Sequence, residues 1–132
     1  MEKTVLARIG AVFFVIWGLA HFFAAYQVYQ TGLAGSPSLV QGRLFQEAFY
    51  IFAFATTGIV LAIKLNWRNS RAGFWVNALI IGIGDVPFIL FVLIPGYAPF
   101  WPGILGPVLW IAGMIFTGLG QKRPIRLMQG SQ

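Results

Sequence analysis

The chain has 132 residues, 58% hydrophobic and only 9% charged, with nine basic side chains, three acidic ones and no cysteine. A soluble domain covers its surface with about 25% charged residues, so this chain must turn much of its surface toward lipid. The missing cysteines exclude disulfides, thiol redox chemistry and thiolate metal sites. The net charge of +6 flanks apolar runs instead of forming one patch, which argues against nucleic acid as a partner.

The length allows one domain, residues 1–132. Four apolar runs fill it, at about 5–26, 44–65, 73–93 and 102–119. Each approaches the ~20 residues that cross ~30 Å of hydrocarbon as a helix, and lipid tolerates only helices or closed barrels. The first run continues past Ala20, so it reads as a span and not as a cleaved signal peptide. Gln27 to Arg43 is polar and carries Gly32, Gly35, Pro37 and Gly42, so it reads as a loop. Asn66 to Ala72 reads as a short basic turn, Pro95 to Trp101 as a proline and aromatic turn at an interface, and 120–132 as a frayed basic tail. The expectation is an all-α integral membrane protein, an antiparallel bundle of four transmembrane helices.

Charge gives the orientation. Lys3, Arg8, Lys64, Arg68, Arg71, Lys122, Arg123 and Arg126 fall on one side and Arg43 alone on the other. The positive-inside rule then puts both termini in the cytoplasm. The small size and this charge bias point to a bacterial cytoplasmic membrane.

Helices in lipid associate through small residues and interhelical hydrogen bonds. The fourth run carries a stripe of Gly103, Gly106, Trp110, Gly113, Thr117 and Gly120. That face serves either the bundle itself or a seam with a second copy or a partner membrane subunit. The first run repeats Ala11, Gly18 and Ala25 every seven residues, and the third puts Ala78, Gly82 and Asp85 on one face. In the second, Arg43, Glu47, Tyr50, Phe54, Thr57 and Lys64 share a stripe, read as its packing face.

Ionisable groups are costly in hydrocarbon and usually face a partner, a cavity or water. By helical rise, Asp85 lies ~18 Å, His21 ~24 Å and Glu47 ~25 Å from the basic side. Their shared height makes all three candidates for acid and base chemistry in an outer-half pocket. Trp17, Tyr26, Gln46 and Tyr50 are candidates to line it. Pro87 frees the carbonyl of Ile83 beside Asp85. Each candidate has a structural alternative. Asp85 and His21 could simply bond two helices together, and Glu47 could pair with Arg43 four residues earlier. One histidine with two carboxylates gives no metal site, and no cofactor motif is present.

In outline the chain resembles two groups of small four-helix membrane proteins, the DoxX-like bacterial proteins and the EXPERA-type sterol isomerase and ligand-binding group. The second likeness rests on His21 in the first span and Glu47 near the start of the second. It implies a lipophilic pocket with buried acids and a histidine. The chain is shorter than typical members and no extended motif aligns, so no residue role is carried over. The expected function is a polar pocket that binds a lipophilic small molecule and performs isomerase-type proton transfer. The alternatives are an accessory subunit of a larger membrane complex and an oligomeric proton-coupled transporter.

Overall fold

The computed structural model describes residues 2–121, and all regular structure among them is helical. Helix α1 is Lys3–Ala34; α2 is Leu39–Leu61, continued by a π-helical turn, Ala62–Asn66; α3 is Arg71–Phe88, continued by a second π-helical turn, Ile89–Leu93. A four-residue turn, α4, Phe100–Gly103, precedes α5, Leu105–Gly120. Three helices are long and apolar enough to cross a membrane, Lys3–Ala34, Leu39–Asn66 and Arg71–Leu93, while α5 is shorter. The frayed tail read at 120–132 lies, beyond Gln121, outside the described residues, as do Lys122, Arg123 and Arg126.

The expected loop at 27–43 is mostly helix. Only Gly35–Ser38 interrupts it. Ser38 caps α2 by accepting from the Gln41 backbone N–H at 3.2 Å, and the Gln41 side chain donates to the carbonyls of Gly32 and Gly35 at the end of α1. Hydropathy locates the apolar part of a helix, not its polar ends. α3 starts with a second serine cap, Ser70 accepting from Gly73 N–H at 3.3 Å. Asn69, at φ 56°, turns the chain into it and donates to the Gly120 carbonyl at 2.7 Å. The fourth helix begins at Leu105, after the expected 102, and Pro107 sits in its first turn, where no intrahelical donor is lost. The second π turn follows Pro87. There the Ile89 N–H is shared between the carbonyls of Asp85 and Val86.

Helix α1 is central, with α2 on one side and α5 on the other; α3 closes the bundle against α2 and α5. Small residues let these backbones approach. A Cβ on Gly113 would lie 2.5 Å from the Phe14 ring, and one on Gly120 would lie 2.8 Å from the Lys3 carbonyl. Gly106 and Gly113 of α5, with Gly120, therefore face α1. Gly103 packs on Leu93. Of the two uses read for that stripe, these contacts supply packing within the bundle. Ala11, Gly18 and Ala25 are all buried, as the seven-residue repeat predicts. The second helix corrects the expectation: with its π turn, its buried residues are Ala48, Ala55, Gly58, Ala62 and Asn66, and of the stripe only Phe54 packs on the core, while Arg43, Glu47, Tyr50, Thr57 and Lys64 are exposed. Close packing selects the small side chains over the polar ones.

Candidate functional site

Two helices, α1 and α3, supply one polar cluster. On α3, Gly73, Asn77, Ile81 and Asp85 recur every four residues and are all buried. Asp85 is 1% exposed, yet among the described residues it meets no lysine or arginine. Its Oδ2 accepts from the Trp17 indole N–H at 3.0 Å, across to α1. Its Oδ1 lies 3.5 Å from His21 Nε2, whose side chain is 21% exposed. The imidazole stacks on the Trp17 ring with centroids 3.9 Å apart. The Trp17 ring in turn lies against Gly58 of α2, where a Cβ would come within 3.2 Å of it. A glycine on α2 thus fixes the indole that holds the carboxylate.

Hydrogen bonding fixes the protons. His21 Nδ1 is 2.8 Å from the Trp17 carbonyl. A carbonyl only accepts, so Nδ1 carries a hydrogen. Neutral His21 then presents a bare Nε2 to Asp85, and an ionised Asp85 presents only acceptor oxygens. A proton on either atom, giving carboxylic acid and imidazole or carboxylate and imidazolium, makes this 3.5 Å contact attractive. The same bond to the Trp17 carbonyl survives in both.

The wall opposite is the start of α5. A Cβ on Gly106 would lie 2.8 Å from His21 Cε1, 3.3 Å from Nε2 and 3.8 Å from Asp85 Oδ1. Only glycine leaves room for the ring there. As the second residue of α5, Gly106 also sets the positive end of that helix beside the carboxylate. One turn along α5, Trp110 covers Gly82 of α3, and its buried indole N–H has no partner among the described residues.

The remaining candidates lie apart from this cluster. Glu47 is exposed and has no hydrogen-bond or ion-pair partner among the described residues; Arg43 donates to Gln46 Oε1 at 2.8 Å instead of pairing with it. Gln46 in turn donates to the Tyr50 hydroxyl at 2.7 Å, on the outer face of α2. Tyr26 is exposed on α1. Of the seven named side chains, the structure brings together Trp17, His21 and Asp85. Gly106 and Trp110 complete that neighbourhood; the glycine stripe of the fourth run was their only sequence signal. Among the described residues no cluster of three metal-ligating side chains occurs.

The described residues form a helical bundle in which three helices are long and apolar enough to cross a membrane. The chain matches no protein family, no curated protein and no solved structure. The outline likeness to small four-helix membrane proteins therefore stays one of layout.

Proposed function

We propose that the protein crosses a bacterial cytoplasmic membrane four times, with both termini inside, and holds a lipophilic small molecule against the His21–Asp85 pair. Five described cations, Lys3, Arg8, Lys64, Arg68 and Arg71, support the orientation. All lie at the end of the bundle shared by the start of α1, the end of α2 and the start of α3. The observation that carries the ligand reading is the pair itself: a buried carboxylate bound to an indole donor and 3.5 Å from Nε2 of a partly exposed imidazole. A hydroxyl or carbonyl group on an apolar ligand can reach the exposed edge of His21 and bond either form of the pair. The unpaired Trp110 N–H nearby is a second donor. The same pair is equipped to take a proton from one carbon and return one to another, a double-bond shift that consumes no oxidant.

Mass spectrometry of lipid-soluble material that copurifies with the protein tests this. The wild type retains a defined molecule, and Asp85→Asn and His21→Ala lose it while eluting as folded protein. Unchanged content in both variants refutes the reading. A second reading, an interhelical latch in an accessory subunit, draws support from the tight fit of His21 against Gly106. It predicts that His21→Ala and Asp85→Leu lose bundle stability and that no small molecule is bound at any stage.

A further inference from the structure

The other end of the bundle carries a different feature. A groove of about 300 Å³ runs between α1 and the first π turn, lined by Ala11, Val12, Val15, Ala62, Ile63 and Trp67. Ala11 and Ala62 are its buried floor, and Val12, Ile63 and Trp67 are half-exposed walls. The floor is low because both facing positions are alanine. No side chain with a formal charge lines it.

The basic end of the groove is closed by a cation. Arg8 shares a helical face with Ala11, Val12 and Val15, and its guanidinium carbon lies 5.4 Å from the Trp67 ring centroid. A guanidinium resting on an aromatic face keeps its in-plane N–H groups free to donate. Lys64 and Arg68, both exposed, flank Trp67. Among the described residues, none of Arg8, Lys64 and Arg68 has a carboxylate within ion-pair distance. An apolar trough ending in unpaired cations complements a molecule with a hydrocarbon tail and an anionic head.

We propose that this groove seats an anionic phospholipid, with an acyl segment over Ala11 and Ala62 and the phosphate against the outer edge of Arg8. Guanidinium and phosphate match in two parallel hydrogen bonds, and each juxtamembrane cation favours an anionic lipid surface. The site is separate from the His21–Asp85 pair and does not depend on what binds there.

Native mass spectrometry on protein equilibrated with equal amounts of phosphatidylglycerol and phosphatidylcholine tests it. The wild type is expected to retain phosphatidylglycerol by about fivefold over phosphatidylcholine, the preference one such cation supplies. Arg8→Gln lowers this preference, and Ile63→Trp, which fills the trough, lowers retention of both. Arg8 and Ile63 are exposed, so both variants stay folded by circular dichroism. A wild type without preference overturns the proposal, as does an Arg8→Gln protein that keeps it. Loss in Arg8→Gln with Ile63→Trp unaffected removes the groove as the acyl seat. A dimer mass without lipid assigns the groove to a second copy and also overturns it.

Discussion

Replacing Asp85 by Asn and by Leu separates its hydrogen bonding from its charge. In Asp85→Asn the amide oxygen takes the place of Oδ2, 3.0 Å from the Trp17 indole nitrogen. The amide N–H₂ then faces His21 Nε2, the acceptor left bare because Nδ1 donates to the Trp17 carbonyl. No buried group loses its partner, so the bundle should keep its stability within about 1 kcal/mol. In Asp85→Leu both the indole N–H and Nε2 are left without partners in a near-dry site. Interhelical hydrogen bonds in membranes contribute about 0.6 to 2 kcal/mol each, so two orphaned groups should cost about 1–4 kcal/mol. Unfolding of the detergent-solubilised protein by sodium dodecyl sulfate reads the difference directly. Nitrogen-15 spectra of His21 read the protons: Nδ1 protonated in both wild type and Asp85→Asn, Nε2 protonated in neither neutral form. An Asn variant as unstable as the Leu variant, or a wild-type spectrum with bare Nδ1, would falsify this hydrogen-bond arrangement.

Other consequences follow from packing. Gly113→Ala drives a methyl into the fully buried Phe14 ring, whereas a Cβ on Gly84 meets nothing within 4 Å. The same detergent titration should show a loss of about 1–3 kcal/mol for Gly113→Ala and, for Gly84→Ala, no loss and a gain of up to about 1 kcal/mol. Wild-type protein in proteoliposomes with a pH gradient should carry no proton flux, because Ile81 and Phe14, both 0% exposed, close the core below Asp85; a measured flux refutes that seal. Glu47→Gln should leave stability and copurifying ligand unchanged, since Glu47 is exposed and has no partner among the described residues; a loss of either would bring it back into the site.

The sequence makes Asp85 and His21 conspicuous for a simple reason: an ionisable side chain within an apolar run has few places to go, and here the two meet. Their shared height was readable from the 1.5 Å rise alone. Glu47 failed the same argument because height does not fix the direction around a helix axis. Its stripe on α2 competes with Ala48, Ala55, Gly58 and Ala62, and close approach to α1 favours the smaller side chains. The role of Gly58 was not legible either: a glycine in an apolar run gives no sign that an indole from another helix rests on it. Pro87 announced a disturbed helix, and a π turn follows it. The first π turn, at Ala62–Asn66, has no such marker; its effect is to bring Asn66 into the core, where Asn77 donates to its side-chain oxygen at 3.3 Å.

The lengths of the helices bear on how the His21–Asp85 pair reaches a proton or a ligand. α5 is the short helix, and its second residue abuts both members of the pair. Asp85 lies about 21 Å along α3 from Arg71, which leaves roughly 9 Å of a ~30 Å slab beyond it. Toward the basic end the next buried residue on its face is Ile81, then Asn77, whose amide is bonded to Asn66. That direction is closed by packed hydrocarbon before any polar group recurs. On the other side α3 and its π turn run eight residues further, to Leu93, and α1 thirteen, to Ala34, while α5 begins beside the pair and the segment before it, around Phe100 and Trp101, is exposed. The partly exposed edge of His21 is therefore served from one side. A transporter must open the same acid to two sides in turn, and the Ile81 layer opposes this. A binding site loaded from one leaflet needs no such opening, which is why the single-sided ligand reading fits the geometry better than proton-coupled transport.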